Sequence, residues 1–491
     1  MKPSGIRLVV VSNRLPVVVK QDKGKWNIRQ GSGGLVTALA PILRNRGGLW
    51  IGWSGSSAKV NLRSMLDTAS QKTGYVLRPV TLTEEDIADF YYGFSNEVMW
   101  PIFHDLQTRC NFVPAYWYQY LSVNKKFAKV IAEQTGKNDY IWVHDYHLMH
   151  VAHNLRGKRK KNKIGFFLHI PFPPMDIFLK LPWRGQILHA LLEYDLVGFQ
   201  TLRDRRNFIQ CVQTLIPDAQ ARGKGQVVTV TVPGRTVRVG TFPISIDYGD
   251  FAQQAASKKV SEGAWYFHED LPDRQIILSV DRLDYTKGIP ERLEAIRNAL
   301  LRFPDMHLKA TFCQVVVPSR EEVPEYQALK AQIEQLVGEI NGQFTKSGWA
   351  PIHYIYRSLE RHELLACYRA AEIVLVTPLK DGMNLVAKEY CACNIEENGV
   401  IVLSEFAGAA AQLHKNALLV NPYDVEAVAD TIYKAFTMND HEKRMRMKKL
   451  RQSIRKHDIF WWLNSFLSAA FTKHLDDFPV LDEYVPQIEI E

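Results

Sequence analysis

Continuous apolar runs alternate with helix-like segments along most of this chain, and the runs end in polar or glycine-rich residues. Uninterrupted apolar runs are typical of strands buried on both faces of a parallel sheet. In doubly wound sheets, ligands bind outside the carboxyl ends of the strands. We therefore predict an α/β fold with two series of βα units and a ligand site at the strand ends. The six runs, each with the segment that follows it, are 8–11 with 12–14, 140–143 with 144–147, 164–168 with 169–173, 276–280 with 281–288, 312–317 with 318–320, and 373–376 with 378–384.

The length of the chain indicates more than one domain. At 491 residues it exceeds what a single hydrophobic core ordinarily organises. A Val-rich stretch at 227–239, which predicts antiparallel strands, closes the first series of units, and a second series starts at residue 276. We predict a Rossmann-like domain over 1–245 and another over 246–455. Residues 456–491 are predicted to form an aromatic helix that packs back on the N-terminal domain, followed by a tail.

Composition and charge narrow the class of protein. The chain is 46% hydrophobic and 23% charged, which is ordinary for a globular protein. Its net charge of +9 fits anionic small molecules as well as a nucleic-acid surface. The basic run at 156–163 has no interleaved aromatic residues, so we interpret it as a solvated loop, and the basic segment 442–456 as a solvated helix face. We expect a cytoplasmic protein, because no signal peptide opens the chain and no stretch is long and apolar enough for a membrane span.

Neither the cysteines nor the histidines have the spacing of a metal site. The six cysteines lack paired zinc spacing, and buried reduced thiols are the expectation. His144, His147, His150 and His153 recur at intervals of three. On a helix that spacing drifts off one face, and no Cys or Glu completes a catalytic zinc set. We therefore predict neither a metal nor another cofactor.

The C-terminal half carries the sharper chemical signals. Arg282 and Lys287 follow a predicted strand, where two cations can neutralise a diphosphate as it leaves; surface cations are the alternative. Residues 380–390 have the pattern of a loop, a glycine turn and a helix whose first N–H groups face an anion. Glu389 is placed in that helix to accept hydrogen bonds from a ribose diol. A carboxylate that only stabilises the helix start is the other interpretation.

The N-terminal half offers weaker signals. Gly33 and Gly34 precede a predicted helix, where glycines let a phosphate or sugar approach the backbone N–H groups. An ordinary turn is the alternative. Asp145, at a predicted strand end, is a good acceptor for sugar hydroxyls, and Arg14 follows the first predicted strand.

Together the motifs resemble the trehalose-6-phosphate synthase family. The resemblance covers about residues 7 to 475, in the family's order. It implies a GT-B fold, in which two Rossmann-like domains face each other across a cleft. It also implies retaining transfer of glucose from a nucleotide-glucose, usually UDP-glucose, to glucose 6-phosphate, which would give α,α-trehalose 6-phosphate. The matching segments are 11–16, 33–35, 50–55, 94–101, 144–147, 165–173, 281–288, 317–320, 340–342 and 381–390.

The resemblance further implies roles for individual residues, with the acceptor on the N-terminal domain and the nucleotide sugar on the C-terminal domain. The implied donor contacts are Gly33, Gly34, Arg282, Lys287, Leu359, Leu385, Val386, Ala387, Lys388 and Glu389. The implied acceptor contacts are Arg14, Tyr91, Trp100, Asp145 and Arg320, with both arginines on the phosphate. The residues expected at the reacting centre are Arg282, Lys287, Asp381 and His169. The leaving phosphate would help to deprotonate the acceptor hydroxyl, and no divalent ion is expected.

Three other functions stay open at this stage. A related glycosyltransferase that uses glycerol 3-phosphate would have similar phosphate-binding arginines. A non-catalytic regulatory homologue would have lost Arg282, Lys287 or Glu389, and all three are present. A nucleic-acid-binding protein would use the basic runs, with salt-dependent affinity. We expect a nucleotide sugar and a sugar phosphate as the partners, with no nucleic acid and no membrane; the nucleotide base and a homo-oligomeric state stay open.

Overall fold

The computed structural model describes residues 6–22, 25–31, 34–56, 63–158, 160–271 and 273–473, together with Leu475, Phe478 and Tyr484. Over these residues the chain forms two compact units. Unit 1 contains the chain up to Ile244 and resumes at Ile459, and unit 2 runs from Ser245 to Asp458. Each unit is built on a largely or wholly parallel sheet with helices between its strands. The predicted α/β class with two parallel sheets is confirmed.

Nine strands of the described residues form the sheet of unit 1, in the order β5-β4-β1-β6-β7-β8-β11-β10-β9. The pairs from β5 to β11 are parallel, and β10 and β9 continue the sheet in antiparallel fashion. The predicted Val-rich antiparallel segment is thus present. The described part of unit 1 has eleven strands, of which β2 and β3 lie outside this sheet: β1 (Leu8–Arg14), β2 (Val17–Asp22), β3 (Lys25–Gln30), β4 (Leu49–Trp53), β5 (Val76–Val80), β6 (Tyr140–His144), β7 (Ile164–Phe167), β8 (Leu196–Phe199), β9 (Gln220–Arg222), β10 (Val227–Val232) and β11 (Arg235–Thr241).

Helices connect these strands, and β2 and β3 pair as a separate hairpin. A π-helix over Asp86–Met99 leads directly into α3. The α-helices are α1 (Gly34–Arg46), α2 (Arg63–Thr73), α3 (Trp100–Phe103), α4 (Pro114–Gln134), α5 (Val151–Gly157), α6 (Met175–Phe178), α7 (Arg184–Leu192) and α8 (Leu202–Leu215).

In unit 2, six strands of the described residues form a wholly parallel sheet in the order β14-β13-β12-β15-β16-β17. Most of their apolar side chains are buried, as expected for a sheet covered on both faces; the edge strand β14 is the main exception, since its residues after Ile352 are partly exposed. The strands are β12 (Gln275–Arg282), β13 (Ala310–Val317), β14 (Ile352–Tyr356), β15 (Ile373–Val376), β16 (Val400–Ser404) and β17 (Leu418–Val420). The helices are α9 (Tyr248–Ala255), α10 (Lys258–Asp270), α11 (Ile289–Arg302), α12 (Pro324–Phe344), α13 (Arg361–Ala370), α14 (Leu385–Cys393), α15 (Ala410–Leu413), α16 (Val425–Phe436) and α17 (Asp440–Lys456).

Among the described strands, the parallel part of each sheet has one point where the strand order reverses. In unit 1 the chain moves outward from β1 through β4 to β5 and then continues on the other side of β1, at β6. In unit 2 it moves from β12 through β13 to β14 and then continues beside β12, at β15. Loops that follow the two strands at such a point diverge and leave a crevice. The loops after β1 and β6, and those after β12 and β15, are therefore the places to look for ligand contacts.

The last helix, α18 (Ile459–Phe471), returns to unit 1 and covers one face of its sheet. Phe466 stacks on Trp142 with 4.5 Å between the ring centroids. Gly165 and Gly198, on neighbouring strands, make room for this ring, because a Cβ at either residue would lie within 3.0 Å of it. Among the residues that the structure describes, none of the helices combines the length and apolarity that a bilayer crossing demands.

The histidine series is distributed over different elements. His144 ends β6, His147 lies in a 3₁₀ turn (Tyr146–Leu148), His150 precedes α5, and His153 lies within α5. The argument from helical spacing therefore does not apply to these four histidines, because they do not lie on one helix. In the described part of the chain, no group of three or more His, Cys, Asp or Glu side chains is arranged to hold a metal ion.

Candidate active site

Arg14, the last residue of β1, lies on aromatic faces in unit 1. Its guanidinium carbon is 4.3 Å from the centroid of the Trp53 ring and 5.3 Å from that of Tyr91. Tyr91 in turn stacks on His147, with an interplanar angle of 12°. Over the described residues, no carboxylate forms an ion pair with Arg14. This cation is thus held by aromatic rings that leave its charge uncompensated, an arrangement suited to an anionic ligand.

Trp100 is connected to the same aromatic layer. Its buried ring lies 5.9 Å from the ring of Tyr146, which lies 4.0 Å from the ring of His147. The loop after β6 and the helices after β5 therefore bring three of the predicted acceptor residues, Arg14, Tyr91 and Trp100, into one contiguous group of contacts.

Asp145, the fourth predicted acceptor residue, follows β6 with a strained backbone. Its φ of 75° and ψ of 164° lie in a region that is essentially restricted to glycine and costs roughly 1–3 kcal/mol for other residues. The loop is held by a hydrogen bond from the Asp145 N–H to the carbonyl of Phe167, at 2.8 Å. The Asp145 carboxylate accepts a hydrogen bond from the backbone N–H of His169 at 3.2 Å. Strain of this kind accumulates where a side chain must be aimed at a ligand.

His169 is held by a chain of polar contacts that determines its tautomer. Gln200 accepts a hydrogen bond from the N–H of Ile244 through Oε1, at 2.9 Å, so its amide NH₂ faces His169 Nδ1 at 3.4 Å. Nδ1 is then the acceptor, and His169 Nε2–H donates to Nδ1 of His144 at 3.0 Å. These proton positions follow from the hydrogen-bond partners.

Both rings of this histidine pair are neutral at physiological pH. Burial lowers the pKa of His169 to about 3. Burial and the neighbouring His169 ring lower the pKa of His144 as well. A neutral ring with both nitrogens engaged inside the protein is poorly suited to proton transfer at pH 7. His169 therefore fits a positioning role beside Asp145 better than that of a general acid or base.

In unit 2, the two predicted donor cations lie after β12. Arg282 ends the strand and is exposed. Lys287 is buried at the end of a 3₁₀ turn (Tyr285–Lys287), and its ammonium forms a short ion pair with the carboxylate of Asp381. Asp381 follows β15, so the two strands at the order reversal bring these residues together. The structure thus places Lys287 and Asp381, both expected at the reacting centre, in direct contact.

The loop that carries Asp381 is folded tightly before α14. The Asp381 carboxylate accepts hydrogen bonds from the backbone N–H of Met383 at 3.2 Å and from the side-chain amide of Asn384 at 3.1 Å. Asn384 is left-handed, with φ 59°, a conformation that Asn tolerates better than most residues. Gly408 packs against this loop so closely that a Cβ there would collide with the Gly382 carbonyl.

The residues at the start of α14 divide into two groups. The side chains of Leu385, Ala387 and Lys388 are buried, and Val386 and Glu389 are partly exposed. Lys388 donates to Oε1 of Gln412 at 2.7 Å, inside the unit, and burial lowers its pKa to about 7. Of the predicted donor contacts in this helix, Lys388 thus offers its backbone to a ligand, whereas its side chain faces the interior.

Glu389 is held by a residue that the sequence reasoning missed. The hydroxyl of Tyr368 donates to the Glu389 carboxylate at 3.0 Å. Burial raises the pKa of Glu389 above its ordinary value, although the Tyr368 hydrogen bond and the charge of Arg361 oppose that rise. Leu359, another predicted donor contact, lies in the loop before α13, the helix that carries Tyr368 and Arg361.

Arg320 and Asp284 form a second buried ion pair in unit 2. Arg320 follows β13 in a left-handed conformation, with φ 50°, and its side chain is only 8% exposed. Its guanidinium lies 3.7 Å from the Asp284 carboxylate and forms a short hydrogen bond with the hydroxyl of Tyr326. Asp284 lies between Arg282 and Lys287 in the sequence, and an acidic residue inside a cation-rich motif was the signal that could have revealed it.

Two predicted contacts remain at the N-terminus. Gly34 begins α1, in keeping with a glycine at a helix start. Gly33 lies outside the described residues.

Comparison with known proteins identifies the family. The model of glycosyltransferase family 20 matches residues 6–471 of the chain. The chain belongs to glycosyltransferase family 20. The resemblance inferred from the motifs is therefore confirmed. Curated relatives of this family 20 chain include the trehalose-6-phosphate synthases of Mycolicibacterium vanbaalenii, 41% identical over 96% of this chain and 97% of the relative, and of Mycobacterium marinum, 42% identical over 96% and 94%.

Solved structures of family 20 proteins agree with the observed fold. An α,α-trehalose-phosphate synthase (UDP-forming) from Burkholderia xenovorans, in complex with glucose-6-phosphate, matches with a TM-score of 0.86 and 35% identity, over 94% of this chain and 99% of the other. A protein of E. coli bound with UDP-2-fluoro glucose matches with a TM-score of 0.84 and 38% identity, over 94% and 98%. The predicted GT-B fold is confirmed.

Proposed function

We propose that this family 20 enzyme transfers glucose with retention from UDP-glucose to glucose 6-phosphate and produces α,α-trehalose 6-phosphate and UDP. The observation that carries the proposal is the full-length likeness, at 35% identity and a TM-score of 0.86, to a protein solved with glucose-6-phosphate. The relative bound with UDP-2-fluoro glucose supports a uridine nucleotide as the donor. The clustered cations of unit 2 are the physical counterpart, since a sugar nucleotide brings a diphosphate that needs compensation.

On the donor side, we assign Arg282 and Lys287 to the diphosphate and Asp381 to the glucose. The Lys287–Asp381 ion pair supports this assignment, because it puts a phosphate-seeking cation next to a hydroxyl-seeking carboxylate. Glu389, oriented by Tyr368, would accept hydrogen bonds from the ribose. Gly33, Gly34, Leu359 and residues 385–388 would complete the donor contacts.

On the acceptor side, we assign Arg14 and Arg320 to the phosphate of glucose 6-phosphate. Tyr91, Trp100 and Asp145 would contact its sugar. The aromatic layer around Arg14 supports the assignment, because flat rings pack on sugar faces and leave the guanidinium charge available. These roles divide the chain into an acceptor-binding unit 1 and a nucleotide-sugar-binding unit 2, with Arg320 as a contribution of unit 2 to the acceptor phosphate.

The proposed chemistry needs no covalent enzyme intermediate. The bond between the glucose anomeric carbon and the diphosphate oxygen breaks, and the acceptor hydroxyl attacks from the same face. The leaving phosphate oxygen takes the proton of that hydroxyl, so the enzyme supplies no separate base. Arg282 and Lys287 would stabilise the negative charge that accumulates on the diphosphate in the transition state, where such interactions raise the rate. Asp381 would hold the glucose while the bond breaks.

A donor-by-acceptor activity panel tests the proposal. UDP-, GDP- and ADP-glucose are each combined with glucose 6-phosphate and with glycerol 3-phosphate, and product is identified by proton NMR of the anomeric protons. We expect the highest kcat/KM for UDP-glucose with glucose 6-phosphate and an α,α-linked product. A preference for glycerol 3-phosphate would assign the enzyme to a different acceptor, and absence of transfer in every combination would contradict an enzymatic role.

A further inference from the structure

Asp284 is buried, with 1% of its surface exposed, and its two carboxylate oxygens have different tasks. Oδ1 accepts hydrogen bonds from the backbone N–H of Thr286 at 3.0 Å and from its hydroxyl at 2.9 Å. The Asp284 carbonyl accepts a further hydrogen bond from the N–H of Lys287 at 3.1 Å. These three bonds shape the turn that ends in Lys287, and the two that Oδ1 accepts are the contribution of the carboxylate to the position of this cation.

The other oxygen faces a different cation. Oδ2 lies 3.7 Å from a guanidinium nitrogen of Arg320 and accepts from the hydroxyl of Tyr326 at 3.5 Å. The same hydroxyl accepts a short hydrogen bond from Arg320. A flexible Arg side chain needs such partners to stay in one orientation inside a protein. Asp284 and Tyr326 thus determine where the guanidinium of Arg320 lies.

We propose that Asp284 is a positioning residue for both phosphate groups of the reaction, acting on the donor diphosphate through the Lys287 turn and on the acceptor phosphate through Arg320 and Tyr326. The inference rests on the proposed function and deepens it. In this proposal, the buried carboxylate of Asp284 positions residues of both binding sites without contacting either substrate.

Electrostatics agree with this role. Burial alone would raise the pKa of Asp284, but the charges of Arg320, Lys287 and Arg282 outweigh burial and hold the pKa below its ordinary value. The carboxylate is therefore ionised at neutral pH. Together with Asp381, which pairs with Lys287, Asp284 sets two negative charges against three cations. This leaves a net positive charge for phosphates while keeping like charges close together.

The two tasks can be separated by substitution. Asp284→Asn keeps an oxygen for the two Thr286 donors and replaces Oδ2 with an NH₂ group that cannot accept from Tyr326 or pair with Arg320. We expect its KM for glucose 6-phosphate to rise by about tenfold or more, with the KM for UDP-glucose within about twofold of wild type. Asp284→Ala loses both tasks, so both KM values rise and kcat falls.

Tyr326→Phe is a milder variant that removes only the hydroxyl. We expect a rise of several-fold in the KM for glucose 6-phosphate alone. Tyr433→Phe is its matched control, because Tyr433 donates to Asp305 at 2.9 Å in an exposed Tyr–Asp pair of the same unit. Asp430→Asn is the control for Asp284→Asn, since Asp430 pairs with Arg302 at the surface at 2.6 Å. Both controls should keep wild-type KM values.

Steady-state kinetics with each substrate varied in turn decides the matter, together with thermal unfolding followed by circular dichroism. The inference is overturned if Asp284→Asn raises the KM for UDP-glucose but not that for glucose 6-phosphate, or if it changes neither. If Asp284→Asn does not fold, Tyr326→Phe decides by the same criterion. Failure of the proposed function has a separate signature, because the wild type itself would then form no trehalose 6-phosphate. In that case the KM values of the variants and of the wild type are measured with the phosphorylated acceptor that the wild type does use.

Discussion

The candidate residues of unit 1 and those of unit 2 contact different kinds of side chain. In unit 1, Arg14 rests on the rings of Trp53 and Tyr91, and a neutral histidine pair lies behind the strained Asp145. In unit 2, Lys287 is paired with Asp381 and Arg320 with Asp284. Unit 1 presents a cation without a counter-charge, whereas unit 2 keeps two of its three candidate cations, Lys287 and Arg320, against carboxylates and leaves Arg282 exposed.

This difference indicates how each half treats an anion. Arg14 can meet a phosphate without giving up an ion pair, so its positive charge acts fully on an arriving ligand. In the proposed donor site, Lys287 would share its ammonium between Asp381 and the diphosphate, which would weaken ground-state binding. Its attraction would then strengthen most when negative charge accumulates on the leaving group. Under these proposed roles, unit 1 would mainly hold a substrate and unit 2 would mainly stabilise the transition state.

The largest effect is expected from the donor cations. Arg282→Ala and Lys287→Ala should each lower kcat by about a hundredfold, since the loss of one preorganised contact to developing charge costs ~3 kcal/mol. The KM for glucose 6-phosphate should change little. Arg302→Ala, which removes an exposed Arg of the same unit, is the control. Near-normal turnover in both variants, measured as UDP release, would refute the donor-site assignment.

A smaller effect, on binding rather than turnover, is expected from the two arginines assigned to the acceptor phosphate. Arg14→Ala and Arg320→Ala should raise the KM for glucose 6-phosphate by roughly tenfold to a hundredfold and leave that for UDP-glucose nearly unchanged. An Arg14→Lys enzyme should also have a raised KM for glucose 6-phosphate, because an ammonium does not stack on Trp53 and Tyr91 as a guanidinium does. An Arg320→Ala enzyme that loses UDP-glucose affinity but keeps its KM for glucose 6-phosphate would contradict this reading.

Acidification should destabilise the two units unequally. The pKa of His169 is about 3 in the folded chain against an ordinary 6.5, so the unfolded state binds more protons between these values. Its contribution to stability is complete above pH 6.5 and is lost as the pH falls, by up to about 2 kcal/mol at pH 5. The raised pKa of Glu389 acts in the opposite direction, since its destabilising charge is removed by acid.

Hydrogen exchange at pH 7 and pH 5, corrected for intrinsic rates, measures this contrast. We expect amides of β6 and β7 to lose protection at pH 5 and amides of α14 to keep or gain it. His169→Gln should reduce the loss in β7. Equal loss of protection in both places would show that the neutral histidines are not the cause.

The smallest expected effect is that of a chelator. Arg282 and Lys287 would already bring positive charge to the diphosphate in the proposed donor site, so we expect full activity after exhaustive treatment with EDTA. Added Mg²⁺ should stimulate only mildly, through the free nucleotide sugar. The metal-free mechanism would be contradicted if EDTA abolished the activity and a stoichiometric amount of a metal ion restored it.

The strands could be predicted from the sequence because buried parallel strands require apolar runs, and the polar residues after those runs mark the ligand side. The ends of the strands were harder to predict. For example, β1 continues through Ser12 to Arg14. The polar Ser12 can be buried there because its hydroxyl accepts a hydrogen bond from the Trp50 ring N–H at 2.8 Å. The order of strands was not readable, since it depends on contacts between segments distant in the chain.

Within the candidate site, the sequence identified residues by type and motif, and the structure shows which of them meet. Lys287 and Asp381 touch, as do Arg14 and Tyr91. The two buried partners of Arg320 were missed for different reasons. Asp284 lies inside the motif 281–288, but its contacts appear only in the fold, and Tyr326 belongs to none of the matching segments. Lys388 illustrates the converse: it is part of a motif, but only the folded helix reveals that its ammonium points inward.

The return of α18 to unit 1 has a consequence for biosynthesis. A ribosome delivers the strands of unit 1 first, then the main segment of unit 2, and only afterwards the helix that covers Trp142 and Phe167. The main segment of unit 2, from Ser245 to Asp458, contains all of its described strands and helices and can complete its core while translation continues. The sheet of unit 1 must wait, with an apolar face exposed to water, until the last helix has left the exit tunnel. During that interval the nascent chain is at its most vulnerable to aggregation, and the face beneath α18 is where a chaperone would be needed.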